Sequence, residues 1–326
     1  LPGFGSFYCI KKPHQVVRLK FQFRKQLILI SIVFVWDYDI IFMEEIILMK
    51  LLDGKIVKKT VLAELKEKVS KEKRPLGLVV IQVGEDPASV VYVRQKAKMA
   101  EKVGFNFNHV KLDSNVSEEE LLNKIDEFNN DDNVDGILVQ MPIPKHLNPK
   151  TIQNAISPLK DVDGLTDINM GRLMHNEEAL VPCTPLGIMD LLKHYGIEVA
   201  GKRVVVVGRS DLVGKPMLAL MINADATVTL CHSKTKDMSK ITKKADILIV
   251  AVGKANLIKA EDIRNGCVVI DVGINRMSDG SLCGDVDFNS VKDKVSYITP
   301  VPGGVGQMTV AELGMNTYKA YLLRNK

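Results

Sequence analysis

The sequence has little of several features that would assign its class at once. Only 5 of its 326 residues are cysteine and one is tryptophan, and aromatic residues make up 6% of the chain. The cysteines are odd in number and include no Cys-x-x-Cys pair: Cys9, Cys183, Cys231, Cys267 and Cys283. This pattern supports neither a disulfide framework nor a zinc site, so we predict no metal. Buried thiols in a reducing, cytoplasmic compartment are the simpler interpretation.

An excess of charge of one sign is also missing. The chain has 44 lysines and arginines against 39 aspartates and glutamates, which leaves a formal net charge of +5. Nucleic-acid-binding proteins normally cluster basic residues on one face, and this near-balance gives no such footprint. The composition therefore predicts no nucleic-acid partner, and it is compatible with a small anionic substrate.

A hydrophobic run long enough to span a membrane is absent as well. The apolar run Gln26 to Trp36 has 11 residues, whereas a membrane-spanning helix needs about 20. Basic residues precede this run, as in a signal peptide, but no small-residue cleavage site follows and two aspartates interrupt. We predict no membrane partner and interpret residues 1–48 as an N-terminal extension of unknown role, with a targeting segment as the alternative. The ordered pattern begins at Met49, which is the expected start, with Met43 as a weaker candidate.

What the chain does contain is a regular alternation of helical and strand-like stretches. The first half has helical spacing in Lys55–Lys71 and Pro87–Val103 and strand-like runs in Leu76–Val83, Asn108–Leu112 and Gly136–Gln140. The second half has strand-like, buried runs in Arg203–Val207, Ala226–Cys231, Ile247–Val252 and Cys267–Val272, and a last helix in Val310–Leu323. This rhythm predicts an α/β fold of two α/β domains with mostly parallel sheets. They join near residue 185, and a cleft between them is the expected ligand site.

A candidate catalytic group lies in the first half. Tyr92 and Lys96 are four positions apart on one predicted helix, so they share a face. Lys96 borders the buried stripe of that helix, where burial can lower its pKa and make a neutral amine available as a base. Gln140 ends a predicted strand, and its amide could orient the lysine, because ligands gather beyond the carboxyl ends of parallel strands. Asp163 lies in an acidic, turn-prone segment. The alternative is a solvated helix lysine and an ordinary turn.

A candidate dinucleotide turn opens the second half. The strand that ends at Val207 runs into Gly208, and Gly214 follows six positions later, just before a predicted helix. Two glycines can form a tight turn that lets a pyrophosphate approach the helix N-terminus, with Arg209 and Ser210 beside it. The spacing is not G-x-G-x-x-G, so the motif alone is weak, and a turn without ligand remains the alternative.

The end of the next strand favours NADP over NAD. NAD-binding versions of this arrangement place an acid there for the ribose 2′-hydroxyl. The chain instead has Ser233, Lys234 and Thr235, whose hydroxyls and cation suit a 2′-phosphate. Arg209 could add a second charge-assisted contact. The alternative is that both cations are merely solvated surface charges.

Taken together and in order, several motifs resemble one known family. They are Tyr92–Lys96 (YVRQK), Gly136–Pro144 (GILVQMPIP), Lys160–Gly164 (KDVDG), Pro182–Pro185 (PCTP), Val207–Ser210 (VGRS), Cys231–Thr235 (CHSKT) and Pro300–Gly306 (PVPGGVG). Over residues 49–326 the chain closely resembles the methylenetetrahydrofolate dehydrogenase/methenyltetrahydrofolate cyclohydrolase family of one-carbon metabolism. Two departures from the family pattern, Met141 for leucine and Gln307 for proline, lie outside the proposed catalytic set.

The resemblance implies a bifunctional enzyme. Such an enzyme oxidises 5,10-methylenetetrahydrofolate with NADP and hydrolyses the methenyl product to 10-formyltetrahydrofolate. Lys96 resembles the essential cyclohydrolase lysine, assisted by Gln140; Tyr92 would stack on the folate, and Asp163 would hold the pterin. The residues that the resemblance assigns to NADP are Gly208, Arg209, Ser210, Gly214, Ser233 and Ile274.

The resemblance also implies a division of the chain. Residues 49–185 would form a folate-binding catalytic domain, completed by the C-terminal helix 308–326. Residues 186–307 would form an NADP-binding Rossmann-type domain, through which the family forms homodimers. Two alternatives stay open: a monofunctional methylenetetrahydrofolate dehydrogenase, and a catalytically silent nucleotide-binding protein of the same fold. A shikimate-type dehydrogenase shares the two-domain plan but gives no reason for the Gln140 and Asp163 motifs.

Overall fold

The computed structural model describes residues 16–23, 26–33, 42–45 and 49–325. The first three ranges are strands β1 (Val16–Phe23), β2 (Gln26–Val33) and β3 (Phe42–Glu45), which form an antiparallel sheet in that order. The predicted apolar run thus contributes β2, whereas Cys9 and Trp36 lie outside the described residues. Within the described ranges, no helix combines the length and apolar character needed to cross a bilayer.

The first α/β layer is built on a small parallel sheet. Its strands are β5 (Gly77–Val83), β6 (Asn106–Leu112) and β7 (Gly136–Gln140), in the order β6-β5-β7. Every residue of β5 and β7 is buried. Alternate residues of β5 face opposite ways: Leu78 and Val80 pack with the first two helices, and Val79 and Ile81 with the third. The helices are α1 (Gly54–Val69), α2 (Pro87–Val103), α3 (Glu118–Asn130), α4 (Pro149–Asn154) and α5 (Asp167–Met174).

Helix α2 has the bounds that its sequence signals predict. The Asp86 side chain accepts a hydrogen bond from the Ser89 N–H, and Pro87 occupies the first turn, where it gives up no helical hydrogen bond. At the other end Gly104 takes the left-handed conformation, with φ 88°, that commonly ends a helix. These caps fix the position of Tyr92 and Lys96 in the middle of the helix.

The second α/β layer is a six-stranded parallel sheet in the order β4-β14-β11-β10-β8-β9. Its strands are β4 (Lys50–Leu51), β8 (Arg203–Val207), β9 (Thr227–Cys231), β10 (Ile247–Val250), β11 (Val268–Asp271) and β14 (Tyr297–Ile298). Between them lie α6 (Cys183–His194), α7 (Gly214–Asn223), α8 (Met238–Thr242), a 3-10 helix (Ala260–Asp262) and α9 (Phe288–Val291), with the hairpin β12 (Asn275–Arg276) and β13 (Leu282–Cys283). The two parallel sheets with their helices confirm the predicted fold class.

One strand is less buried than its sequence suggested. We predicted Ala226–Cys231 as a buried run, but in β9 only Cys231 is fully buried, and exposed residues alternate with half-buried ones. The reason is that β9 is the last strand of the sheet and packs one face against α7. A run of apolar and threonine residues does not reveal whether a strand is central or at the edge.

The last helix is longer than predicted and connects the two layers. Helix α10 spans Val305–Arg324, so it begins five residues before the predicted Val310. Its first turns pack in the core of the second layer through Val305 and Met308, and its later turns in the core of the first through Leu313 and Ala320. Residue 185, where we predicted the domain junction, lies inside α6, which packs along α10. Helix α1 also packs in both cores, through Val57 in the second and Leu62 in the first. Helices, not a flexible linker, therefore join the layers.

Candidate active site and nucleotide edge

The predicted lysine and glutamine meet. The Lys96 Nζ on α2 donates to the Gln140 Oε1 at 2.8 Å. Gln140 is the last residue of β7 and is 8% exposed. Its other amide atom, Nε2, donates to the Met141 carbonyl at 2.7 Å, so the amide is held with its oxygen towards the lysine. This geometry matches the orienting contact that the sequence predicted.

The environment of Lys96 favours its neutral form. Burial lowers the pKa of the amine below its usual value, and the nearby Asp163 and Cys183 oppose that shift without cancelling it. Burial likewise raises the pKa of the Asp163 carboxyl, while Lys96 opposes it. For both groups, the effect of removing the charged form from water is larger than the opposing effect of the neighbouring charges. We refer to Lys96, Gln140 and Asp163 as the lysine cluster.

The segment that carries Asp163 is a fixed loop. The buried Asp161 accepts hydrogen bonds from the Thr166 N–H at 2.8 Å and from the Asn169 side chain at 2.9 Å. The buried Lys160 ammonium donates to the Phe128 carbonyl at 2.9 Å, and it also donates to the carbonyl of Asp131. These bonds hold the loop against the end of α3 and the start of α5, and the Ile137 N–H of β7 donates to the Lys160 carbonyl at 2.8 Å. Asp163, which follows in the same loop, lies beside Lys96. The alternative of an ordinary solvated turn does not describe this loop.

Two residues near the lysine cluster were missed by sequence reasoning. Cys183, at the start of α6, is buried beside Asp163 and Lys96, and burial raises the pKa of its thiol well above the usual value. Asn316 on α10 donates through Nδ2 to the Val162 carbonyl at 2.9 Å and to the Val181 carbonyl at 2.7 Å. The amide thereby ties together the segments that carry Asp163 and Cys183. The PCTP motif was a signal for the cysteine. Helix α10 carries several other polar residues, so its sequence did not single out Asn316.

Tyr92 lies one turn before Lys96 on α2, on the same side of the helix. Its side chain is 46% exposed, which is unusual for a large ring on a helix that packs against a sheet. An exposed ring next to the lysine cluster is available to stack on a flat ligand.

The predicted dinucleotide turn is present, and both of its glycines lie too close to neighbouring backbone to carry a side chain. Gly208 has φ 126°, a conformation that favours glycine, and an added Cβ would lie 2.2 Å from the Ala251 carbonyl oxygen. At Gly214, where α7 begins, an added Cβ would lie 2.2 Å from the Gly208 oxygen. The Ser210 Oγ accepts the Val213 N–H at 3.2 Å and braces the turn. A tight turn with a glycine at each end, leading into a ten-residue helix, fits a pyrophosphate.

The other predicted nucleotide residues lie along the same side of the sheet. Strands β8 and β9 are parallel neighbours, so their carboxyl ends place Arg209 and Ser233 side by side, and both are exposed. Ile274 follows β11 and is 52% exposed. We call the carboxyl ends of β8, β9, β10 and β11, with the loops that follow them, the nucleotide edge.

The second layer carries a glycine turn at the start of a helix, and the first layer, packed against it through shared helices, carries a lysine whose pKa is lowered by burial. Together they define a nucleotide-dependent two-domain α/β enzyme. Comparison with known families makes this specific. The family model described as "Tetrahydrofolate dehydrogenase/cyclohydrolase, catalytic domain" matches residues 52–163. A second family model, described as "Tetrahydrofolate dehydrogenase/cyclohydrolase, NAD(P)-binding domain", matches residues 182–325. The chain belongs to the tetrahydrofolate dehydrogenase/cyclohydrolase family, which confirms the resemblance drawn from its motifs.

Individual members of this family are similar to the chain over most of its length. The "Bifunctional protein FolD" of Lactococcus lactis is 52% identical over 275 residues, which cover 83% of this chain and 97% of that protein. The crystal structure of the bifunctional FolD enzyme of Campylobacter jejuni superposes with a TM-score of 0.83 at 48% identity, covering 85% of this chain and 99% of that one. A Trypanosoma brucei relative, solved with NADP cofactor and an inhibitor, has a TM-score of 0.80 at 38% identity and covers 85% of this chain and 99% of its own.

Proposed function

We propose that the protein oxidises 5,10-methylenetetrahydrofolate to the 5,10-methenyl form with NADP and then hydrolyses that product to 10-formyltetrahydrofolate. The observation that carries the proposal is the Lys96–Gln140 contact of 2.8 Å beside Asp163. Family membership alone supplies the reaction class. The contact places an amine whose pKa is lowered by burial where the second reaction needs a base.

In the hydrolytic step the neutral Lys96 amine takes a proton from the water that attacks the methenyl carbon. The adduct then breaks its bond between that carbon and N5, and the proton on Lys96 goes to N5. The hydroxyl group of the adduct releases its own proton to water as its oxygen becomes the carbonyl of the formyl group, which stays on N10. Gln140 holds the amine by its oxygen. Asp163 binds the pterin, and the exposed Tyr92 ring stacks on the folate. A base with a pKa lowered towards the working pH is effective in such proton transfers.

In the oxidative step the protein's task is positioning. The two nitrogens that flank the one-carbon unit stabilise the cation left when hydride departs, so no acid or base is required. NADP, when bound, supplies the hydride acceptor. The residues that would hold it are Gly208, Arg209, Ser210, Gly214, Ser233 and Ile274. Arg209 and Ser233, with no acid at the end of β9, favour the 2′-phosphate over a free hydroxyl.

Helix α10 supports a single site for both steps. An added Cβ at Gly306, in its first turn, would lie 3.4 Å from Ile274 at the nucleotide edge. Asn316, further along the helix, holds the segments beside the lysine cluster. At a helical rise of ~1.5 Å per residue, Gly306 and Asn316 are about 15 Å apart along the helix. One rigid element therefore spans from the cofactor residues to the folate residues.

An assay of the purified protein tests the proposal. With methylenetetrahydrofolate and NADP we expect NADPH formation followed by 10-formyltetrahydrofolate above the uncatalysed rate in the same buffer, and a slower reaction with NAD. NADPH formation without enzymatic hydrolysis would support the monofunctional alternative. Absence of both products would support the catalytically silent alternative.

The pH dependence of hydrolysis gives a second test. Below the lowered pKa of Lys96 the amine is protonated and cannot accept a proton, so the hydrolysis rate should rise as the pH rises through that pKa and then level off. Because hydride transfer needs no neutral lysine, the dehydrogenase rate on the same preparation should lack this rising limb. Rates of both reactions measured from pH 5 to 10 check this, and a hydrolysis rate that falls over the same range would contradict the assigned base.

We also propose a homodimer formed through the nucleotide-binding domain and a cytoplasmic location. The dimer is what the family resemblance implies, and among the described residues the half-exposed strand β9 lies at an edge of that domain's sheet. The location is supported by the cysteines within residues 49–325, which are all free thiols: Cys183, Cys231, Cys267 and Cys283.

A further inference from the structure

A buried carboxylate lies under the nucleotide edge and has no part in the function proposed above. Asp285, which is fully buried, follows the β12–β13 hairpin. Its Oδ2 accepts hydrogen bonds from the Val252 N–H at 2.6 Å and the Gly253 N–H at 2.9 Å. Its Oδ1 accepts from the Lys254 N–H at 2.8 Å and from the Asn275 Nδ2 at 2.9 Å. One carboxylate thus binds three successive backbone groups after β10 and a side chain after β11.

A second buried carboxylate fixes the first. Asp271, at the end of β11, is 4% exposed. Its Oδ1 accepts the N–H groups of Gly273 and Asp285, at 3.1 and 2.9 Å, and its Oδ2 accepts that of Val286 at 2.9 Å. The backbone of Asp285 therefore cannot move without breaking bonds to the strand itself. Asp271 thus fixes the backbone of Asp285, and Asp285 in turn fixes the loops after β10 and β11.

The two loops that Asp285 joins carry exposed apolar side chains. Val252, after β10, is 37% exposed, and Ile274, after β11, is 52% exposed. Strands β10 and β11 are parallel neighbours, so both side chains lie at the same edge, beyond the carboxyl ends where dinucleotides bind in such sheets. Exposed aliphatic side chains at this place suit the faces of a flat heteroaromatic ring.

We infer that Asp285 is a positioning residue for the cofactor, and that Val252, together with Ile274, forms the apolar contact for a ring of the dinucleotide. The inference rests on the proposed function. Asp285 acts through the loops, because both of its oxygens accept N–H groups. If one oxygen is replaced by an NH₂ group, the N–H groups on that side lose their acceptor, and the loop with Val252 no longer has a fixed place relative to Ile274. The folate side of the site, which stands on α2 and β7, does not depend on these bonds.

The test compares cofactor binding with hydrolysis in an Asp285→Asn variant. Asparagine has the same shape, but its NH₂ group would face N–H donors. We expect the Kd for NADPH, measured by calorimetry, and the KM for NADP to rise by about 10- to 100-fold, the scale expected when a ligand-positioning element shifts. Hydrolysis of supplied methenyltetrahydrofolate without cofactor should keep the wild-type kcat and KM.

Asp246→Asn is the matched control, because Asp246 stands at the opposite, amino end of β10. Its carboxylate accepts the Arg203 N–H at 2.7 Å and pairs with Arg264, away from the nucleotide edge. NADPH binding should be unchanged in this variant.

A second variant, Val252→Ser, tests the inference even if Asp285→Asn does not fold. We expect a several-fold rise in its Kd for NADPH, with the melting temperature and the hydrolysis rate unchanged.

Several results would overturn the inference. A wild-type NADPH Kd in Asp285→Asn, or in Val252→Ser, would exclude the role assigned to that residue. An equal loss of hydrolysis and NADPH binding in Asp285→Asn would show a structural role only. If the wild-type protein itself neither bound NADPH nor reduced NADP, the proposed function would fail first, and this inference with it.

Discussion

Replacing Lys96 with methionine is expected to abolish enzymatic hydrolysis of methenyltetrahydrofolate, with a fall in kcat of about a thousand-fold. General base catalysis contributes ~10²- to 10⁴-fold in enzymes, and methionine has nearly the length of lysine without a group that accepts a proton. The amine already has a pKa lowered by burial, so an apolar replacement removes a costly group from this site. Formation of 10-formyltetrahydrofolate from supplied methenyl substrate is the measurement.

The control for this change is Lys98→Met on the same helix. Lys98 is exposed, and its substitution should leave both reactions unaltered. In Lys96→Met the oxidation of methylenetetrahydrofolate should continue, since hydride transfer asks only for positioning. Hydrolysis by Lys96→Met at the wild-type rate would show that the base is another group.

Gly208→Ala is expected to have the converse effect: loss of the dehydrogenase with hydrolysis retained. At φ 126° an alanine is strained by about 1–3 kcal/mol. Its Cβ would also lie 2.2 Å from the Ala251 carbonyl oxygen, so the turn and the end of β10 must move apart. Because a shift of about 1 Å in a positioning element can cost about a hundred-fold, we expect kcat/KM for NADP to fall on that scale. Initial rates at varied NADP, with methylenetetrahydrofolate saturating, measure it.

Gly201→Ala separates the two causes. Gly201 also has a positive φ, 71°, but an added Cβ there meets nothing within 4 Å. This variant carries backbone strain in the same domain without the collision, so it should bind NADP normally and show only a lower melting temperature. If Gly201→Ala impaired NADP use as much as Gly208→Ala, general destabilisation of the domain would explain both.

Much of the site could be predicted because it depends on local rules. The caps of α2 set that helix in register, and a spacing of four put Tyr92 and Lys96 on one face. Gln140 ends a strand whose neighbour in the sheet leads into α2, and parallel strands deliver their ends to one edge. The contact between Lys96 and Gln140 then follows from short-range pattern and sheet topology. The roles of these residues and of the nucleotide residues stay predictions until the variants are measured.

The parts that sequence reasoning missed depend on contacts between distant segments. Asn316 reaches Val162 across 154 positions of the chain, and Asp285 reaches Val252 across 33. Neither residue belongs to a motif with a fixed spacing to its partner. The exposure of β9 likewise depends on its place at the edge of the sheet, which its own residues do not encode.

The amino-acid sequence by itself determined the kinds of elements, the parallel sheets, the family and the chemical groups available, because helix caps, hydrophobic period and motif order are properties of neighbouring residues. Only the tertiary structure decided which of those groups lose contact with water and which loops are fixed. The lowered pKa of Lys96 and the burial of Asp285 both depend on segments that are distant along the chain. Asp163 and Cys183 lie beside Lys96, and the loops after β10 and β11 enclose Asp285.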